Sequence, residues 1–140
     1  MGEFTIEAAR ETMAARFAPW VRDLGLEFEH VAADKVTARL RHSPHLARHG
    51  GVISGQAIMA AADTLMVFAV AAQLGGFVDV ATVNQSIGFF RGAPGDLICE
   101  VRVLKLGRTL AFGEAIFTAA DRPGDPVAQA AMTYALSAPK

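Results

Sequence analysis

One carboxylate stands inside the longest apolar run of the chain. Between Ala57 and Ala72 the only polar side chains are those of Asp63 and Thr64. Burying an unpaired carboxylate costs several kcal/mol, so this acid needs hydrogen-bond partners or a chemical role. In an apolar cleft such a group suits general-base or nucleophilic work on an acyl group. The structural alternative is that Asp63 pairs with a polar group elsewhere in the fold or faces a wet subunit interface.

A glycine eight residues before the acid supplies a second functional group. If a helix begins near Gly55, its first N–H groups are free and lie at the positive end of the helix dipole. Such an N–H can polarise a carbonyl oxygen, and glycine lets a substrate approach the backbone closely. Asp63 then lies ~12 Å further along the helix axis. Because that distance is too long for one chain to act on one bond, we expect a cleft between two subunits.

The elements that position these residues are predicted from hydrophobic periodicity and turn residues. A long helix over 55–74 ends at Gly75-Gly76, and an earlier helix over 4–18 is stopped by Pro19. Two short strands flank a turn at Ala33-Asp34. Four further strands are predicted at about 78–90, 96–106, 109–120 and 127–137. This order predicts an α+β fold in which one long helix packs against a six-stranded antiparallel sheet.

Length and composition favour one apolar domain. The chain has 140 residues, which fits a single domain over residues 1–140 with an N-terminal helix within 1–18. Apolar residues make up 52% and charged residues 19% of the chain, and surplus apolar surface of this kind often ends in a subunit interface. The net charge of −1 gives no long-range attraction for nucleic acid or an anionic membrane.

Cellular location is predicted from cysteine use and from the N-terminus. A single cysteine provides neither a disulfide framework nor a CxxC metal site. Acidic residues near the N-terminus and the lack of an apolar core there argue against a signal peptide. The apolar run 57–72 is short for a membrane span, which needs about 20 residues. We therefore expect a cytoplasmic protein without a membrane partner.

The segment "GGVISGQAIMAAAD" and the elements after it resemble the hotdog-fold acyl-CoA thioesterases, over roughly residues 20–138. The most similar group is the one related to the phenylacetate-degradation thioesterase. That group often carries "HGG", with its acid eight residues after the first glycine. The visible "HGG" at 49–51 would place the acid at Ile58, so Ser54-Gly55-Gln56 takes its place and the acid falls on Asp63. The resemblance implies hydrolysis of an acyl-CoA thioester, with Gly55 as backbone donor and Asp63 as catalytic carboxylate.

The same resemblance implies roles for residues around these two. Thr82 stands where the family has a hydroxyl that orients the attacking water, and the next polar residue, Asn84, is a candidate for the same cleft. Ser54 and Gln56 replace the usual histidine and second glycine, and Arg48 replaces an asparagine that often precedes them. These three are therefore candidates for substrate binding.

Coenzyme A carries phosphates that such proteins hold near basic side chains. Arg91, after the third strand, and Arg108, in the "KLGRTL" turn, are the first candidates, and Arg48 is a third. The alternative for each is a solvated arginine in a turn.

The resemblance implies no metal or redox cofactor and a homodimer or a tetramer of dimers. The loop histidines in "HSPHLARH" have no acid close by in sequence and so favour a loop contact over a metal site. Whether Asp63 acts as nucleophile or as general base stays open. Two other functions also stay open: an acyl-thioester hydratase or dehydratase on the same fold, and a non-catalytic acyl-CoA binder.

Overall fold

The computed structural model describes residues 3–137, so the ends of the predicted domain at 1–2 and 138–140 lie outside the described residues. The elements are α1 (Ile6–Arg16), α2 (Pro19–Arg22), β1 (Glu27–Val31), β2 (Val36–Leu40), α3 (Gly55–Leu74), β3 (Val80–Phe89), β4 (Leu97–Leu106), β5 (Leu110–Ala119) and β6 (Pro126–Leu136). The six strands form one antiparallel sheet in the order β1-β2-β4-β5-β6-β3. This is the predicted α+β arrangement of the hotdog fold.

Local sequence signals determine both ends of α3. Ser54 has an extended backbone and caps the helix, because its Oγ accepts a hydrogen bond of 3.2 Å from the Ala57 N–H. At the other end Gly75 adopts the left-handed conformation, with φ of 82°, and its N–H donates to the Ala71 carbonyl. The predicted bounds of this helix are confirmed.

The apolar character of α3 is explained by burial. Its most apolar 18-residue window has a mean hydropathy of 1.8, which by length and composition would suffice to cross a membrane, yet 67% of that window is buried inside the fold. Fully buried alanines such as Ala61, Ala62 and Ala71 let the helix lie close to the sheet. The hydrophobicity of α3 is therefore that of a core helix.

The N-terminal segment differs from the prediction at Pro19. Helix α1 ends at Arg16, and Phe17 is already extended. Pro19 opens α2 at its first turn, where the missing N–H of proline costs nothing. Phe17 stacks on Phe68 of α3 with ring centroids 5.3 Å apart. The first helix thus ends before Pro19, two residues short of the predicted bound, and the short helix α2 that Pro19 opens was not predicted.

Strand β3 lies at one edge of the sheet and contains a bulge. Thr82 pairs with Tyr134 of β6, whereas Asn84 pairs with the preceding residue Thr133, so Val83 is an extra residue. The partners Tyr134 and Thr133 are neighbours on β6 and therefore point to opposite faces of the sheet. Thr82 and Asn84, which lie opposite them, are on opposite faces as well. Thr82 is on the face that packs against α3, and Asn84 is on the outer face.

Gly113 of β5 marks a very close approach between helix and sheet. A Cβ at this position would lie 2.5 Å from Sδ and Cε of Met66 and 2.7 Å from the carbonyl oxygen of Arg102. Because the carbonyl is backbone, a methyl group here forces the strand or the helix to move. We expect Gly113→Ala to lower the free energy of unfolding, measured in urea, by about 1–3 kcal/mol. Gly95→Ala is the control, since nothing lies within 4 Å of its added Cβ, and equal stability of the two variants would contradict this reading.

Asp96 fastens the start of the loop that leads to α3. Its carboxylate accepts hydrogen bonds from the His42 N–H at 2.8 Å and from Arg39 Nη1 at 3.0 Å. The His42 N–H, and after it the Arg39 guanidinium, lower the pKa of Asp96 below its ordinary value. This carboxylate therefore stabilises the fold at neutral pH.

The stabilisation of the fold by Asp96 is lost in acid. A carboxylate with a lowered pKa in the folded state contributes its full stabilisation above about pH 4, the unfolded-state value, and loses it as the pH falls through the folded-state pKa. We expect Asp96→Asn to lower Tm by a few degrees at pH 7 and the gap to wild type to close toward pH ~3. Melting curves across this range test it, and a gap that stays constant or widens in acid would be the contrary result.

Candidate active site

Strand β3 runs along the side of α3 that carries Gly55 and Asp63. At one end, the Phe89 ring lies against Gly55, and a Cβ on Gly55 would be 3.3 Å from Cζ of that ring. At the other end, Thr82 Oγ1 donates a hydrogen bond of 2.6 Å to Asp63 Oδ1. The predicted donor, acid and hydroxyl therefore line one junction between helix and strand.

Gln85 lies between these two ends. Its Nε2 donates to the Met59 carbonyl at 3.3 Å, which joins the middle of β3 to α3. Its Oε1 is buried and has no hydrogen-bond partner within residues 3–137. Gln85 was not predicted as a site residue.

Asp63 is partly exposed and is held by two hydroxyl groups. Besides Thr82, the Tyr134 hydroxyl lies within hydrogen-bond distance of Asp63 Oδ1 and of the Asp63 main-chain carbonyl, and its single proton is available to either acceptor. Burial, and after it the Asp63 carboxylate, raise the pKa of Tyr134 well above its ordinary value, so the phenol keeps its proton. Both hydroxyls bind Oδ1, and within residues 3–137 neither engages Oδ2.

Tyr134 is the site residue that sequence reasoning missed. It is the only tyrosine of the chain and falls in the strand predicted at 127–137. The available signal was a lone tyrosine in a strand of mostly small and apolar residues, since a tyrosine there needs a partner for its hydroxyl once it is buried. In the structure Tyr134 is 1% exposed. That partner depends on the pairing of β3 with β6, which the sequence does not reveal.

The start of α3 holds the predicted backbone donor. The Ser54 carbonyl accepts from the Ile58 N–H at 3.2 Å, and the Ser54 hydroxyl caps Ala57. Within residues 3–137 the Gly55 N–H donates no hydrogen bond. Ser54 therefore acts here as a helix cap, while Gln56 is exposed at the first turn.

The other predicted site residues lie apart from this junction or are engaged elsewhere. Asn84 faces the outer side of the sheet, so within one chain it does not line the cleft with Thr82. Arg91 Nη2 is 2.9 Å from Asp125 Oδ2, which ties the end of β3 to the turn before β6. Arg48 Nη1 donates to the carbonyl of the next residue at 2.8 Å, and Arg108 is exposed in the turn between β4 and β5.

His42, the first of the loop histidines, makes an ordinary loop contact. A ring nitrogen of His42 lies 2.6 Å from the Gly51 carbonyl oxygen. In the part of the chain that the structure describes, no three His, Cys, Asp or Glu side chains are grouped so as to hold a metal ion.

The long capped helix on a six-stranded antiparallel sheet, with a carboxylate held from β3 and β6, defines a hotdog domain with a candidate acyl-transfer site. The chain belongs to the thioesterase superfamily, whose family model matches residues 49–124. No curated protein matches the chain. Family membership supports thioester hydrolysis as the general reaction.

Solved structures agree with this assignment. A protein from Silicibacter sp. TM1040 that carries a thioesterase assignment is 31% identical, with a TM-score of 0.84 over 96% of this chain and 92% of that one. Zebrafish thioesterase superfamily member 2 is 24% identical, with a TM-score of 0.84 over 95% of this chain and 99% of that one. A Haemophilus influenzae thioesterase, 17% identical, has a TM-score of 0.84 over 96% and 92%. The last two likenesses concern the fold alone.

Proposed function

We propose that the protein hydrolyses acyl-CoA thioesters to a carboxylic acid and free coenzyme A, as a member of the group related to the phenylacetate-degradation thioesterase. The observation that carries the proposal is Asp63. It is a partly exposed carboxylate on the central helix of a thioesterase-superfamily fold, and two hydroxyls bind one of its oxygens. Since both hydroxyls bind Oδ1, Oδ2 is the oxygen left for reactants.

The proposed chemistry divides the work among three groups. Asp63 uses Oδ2 either to take a proton from the attacking water or to attack the thioester carbonyl itself. Because the Thr82 hydroxyl donates its proton to Asp63, its oxygen lone pairs remain to accept a hydrogen bond from the water. The Gly55 N–H stabilises the negative charge that develops on the carbonyl oxygen.

A second copy of the chain is part of this proposal. Gly55 and Asp63 are eight residues apart in α3, or ~12 Å along its axis, so one thioester would take its donor and its acid from different chains. Edge strand β3 supports a homodimer, because its backbone can pair with a second strand and Val83, Phe89 and Phe90 are exposed there. Two such dimers would form the homotetramer.

Coenzyme A phosphates are the proposed ligands of surface arginines. Arg108 is exposed in a turn and is available to a phosphate. Arg91 would have to share its guanidinium with Asp125, and Arg48 with a loop carbonyl. The proposal includes a cytoplasmic location, no metal or redox cofactor, and no nucleic-acid or membrane partner.

Release of free thiol from a panel of acyl-CoAs tests the proposed function. The panel runs from short and branched acyl groups to phenylacetyl-CoA and long-chain acyl-CoAs. Thiol release from at least one member supports hydrolysis. Hydration of crotonyl-CoA without thiol release would instead favour the hydratase, and binding without turnover across the panel would favour the acyl-CoA binder.

A further inference from the structure

We propose that Tyr134 is a positioning residue of the acid: together with Thr82 it holds Asp63 Oδ1, so that Oδ2 is the oxygen presented to the reactants. This inference rests on the proposed thioester hydrolysis. Thr82 and Tyr134 are direct cross-strand partners on β3 and β6. Side chains of such partners start about 4.5–5.5 Å apart on one face of the sheet, which lets both hydroxyls reach one atom.

The Tyr134 hydroxyl contacts the side chain of Asp63 as well as its main chain. Its single proton has two acceptors within reach, the main-chain carbonyl and Oδ1, and the charged carboxylate is the stronger acceptor. The bond to Oδ1 acts on the side chain. A carboxylate held at one oxygen by two donors loses rotation about its Cβ–Cγ bond, so the lone pairs of Oδ2 keep one direction.

Each hydroxyl can partly replace the other, because both bind the same oxygen. When either hydroxyl is removed, the other still binds Oδ1, so the carboxylate keeps one anchor. When both are removed, Oδ1 loses its two described donors. Because the two hydroxyls hold the same atom, the free-energy losses of the two single variants should not add up to the loss of the double variant. Two independent structural contacts would give additive losses.

Steady-state kinetics with the acyl-CoA that wild type hydrolyses fastest test the inference. Tyr134→Phe keeps the ring and removes only the hydroxyl, and we expect kcat to fall about 10-fold while KM changes less than about two-fold. Thr82→Val should lose at least as much, because it also removes the proposed contact to the water, and Thr82→Ser, which keeps the hydroxyl, should lose less than Thr82→Val. The double variant Tyr134→Phe/Thr82→Val should lose more than the product of the two single losses. A purely structural role would lower Tm without this split between kcat and KM.

A second measurement does not depend on the Tyr134→Phe variant. Because the chain has one tyrosine, growth on 3-fluorotyrosine labels position 134 alone. The fluorine resonance of the labelled full-length protein should move on Asp63→Asn, whose charge loss alters the phenol hydrogen bond, and stay in place on the exposed-site variant Asp121→Asn.

The outcomes that overturn the inference are separate from those that overturn the function. An unchanged kcat in Tyr134→Phe, an effect on KM alone, or a fluorine resonance that ignores Asp63→Asn would each remove Tyr134 from this role. Thiol release that is absent in wild type, or undiminished in Asp63→Asn, would remove the proposed function instead.

Discussion

Replacing Asp63 with asparagine is expected to lower kcat for acyl-CoA hydrolysis at least about 10²-fold, the scale of general-base contributions. The substitution is well matched to the site. The Asn side-chain oxygen can still accept hydrogen bonds from the Thr82 and Tyr134 hydroxyls, so the junction between α3, β3 and β6 keeps its contacts. The group that replaces Oδ2 is an NH₂, which has no lone pair to take a proton or to attack a carbonyl.

The comparison needs a control that removes a carboxylate elsewhere. Asp121 is exposed in the turn between β5 and β6, and Asp121→Asn should turn over like wild type. Binding of the same acyl-CoA by calorimetry shows whether the loss in Asp63→Asn lies in turnover. Wild-type turnover in Asp63→Asn would end the catalytic role of this acid.

Replacing Gly55 with proline is expected to remove the proposed oxyanion donor without removing the helix. Gly55 is the first residue of α3, a position where proline is favoured because its missing N–H has no partner in the helix. Ser54 has φ of −67° and ψ of 150°, a conformation that a following proline accepts. Loss of one oxyanion-hole donor typically lowers kcat about 10²–10³-fold.

Gly55→Ala is the matched control for this experiment. Both substitutions add a Cβ at the position that lies 3.3 Å from the Phe89 ring, so both displace this half-exposed ring by a few tenths of an ångström. Only proline removes the N–H. The ratio of kcat in the alanine and proline variants therefore measures the donor, with Tm of each variant as the check on folding. A ratio near one would mean that a group other than the Gly55 N–H stabilises the oxyanion.

The features that the sequence predicted well are those encoded within a few residues. A serine before a glycine and an apolar run marks the start of α3, and Gly75 marks its end, so both bounds are local. The strands of the C-terminal half are separated by turn residues and were placed to within two residues. The acid stood out because a carboxylate is rare in a helix that is apolar on all sides.

The features that the sequence missed depend on contacts between distant parts of the chain. Tyr134 joins Asp63 only because β3 pairs with β6, and Arg91 binds Asp125 across the same end of the sheet. The short helix α2 after Pro19 was not predicted, and the packing of Phe17 on Phe68 lies at the turn between α1 and α2. Asn84 was proposed as the next polar residue after Thr82, and the bulge between them, which the sequence does not reveal, puts it on the other face of the sheet.

That bulge makes the pairing register of β3 with β6 a functional property of the chain. Side chains at Thr82, Gln85 and Phe89 all face α3, although a strand of strict alternation cannot present both 82 and 85 on one face. If β3 paired without the bulge and Thr82 kept its place, Asn84, Ser86 and Gly88 would turn toward the helix, and Gln85 and Phe89 would turn away from it. Deleting the extra residue Val83 would instead leave the other side chains of β3 on their present faces. The Val83 side chain itself is 58% exposed and reaches neither α3 nor the acid. The bulge therefore decides which side chains of β3 reach the cleft.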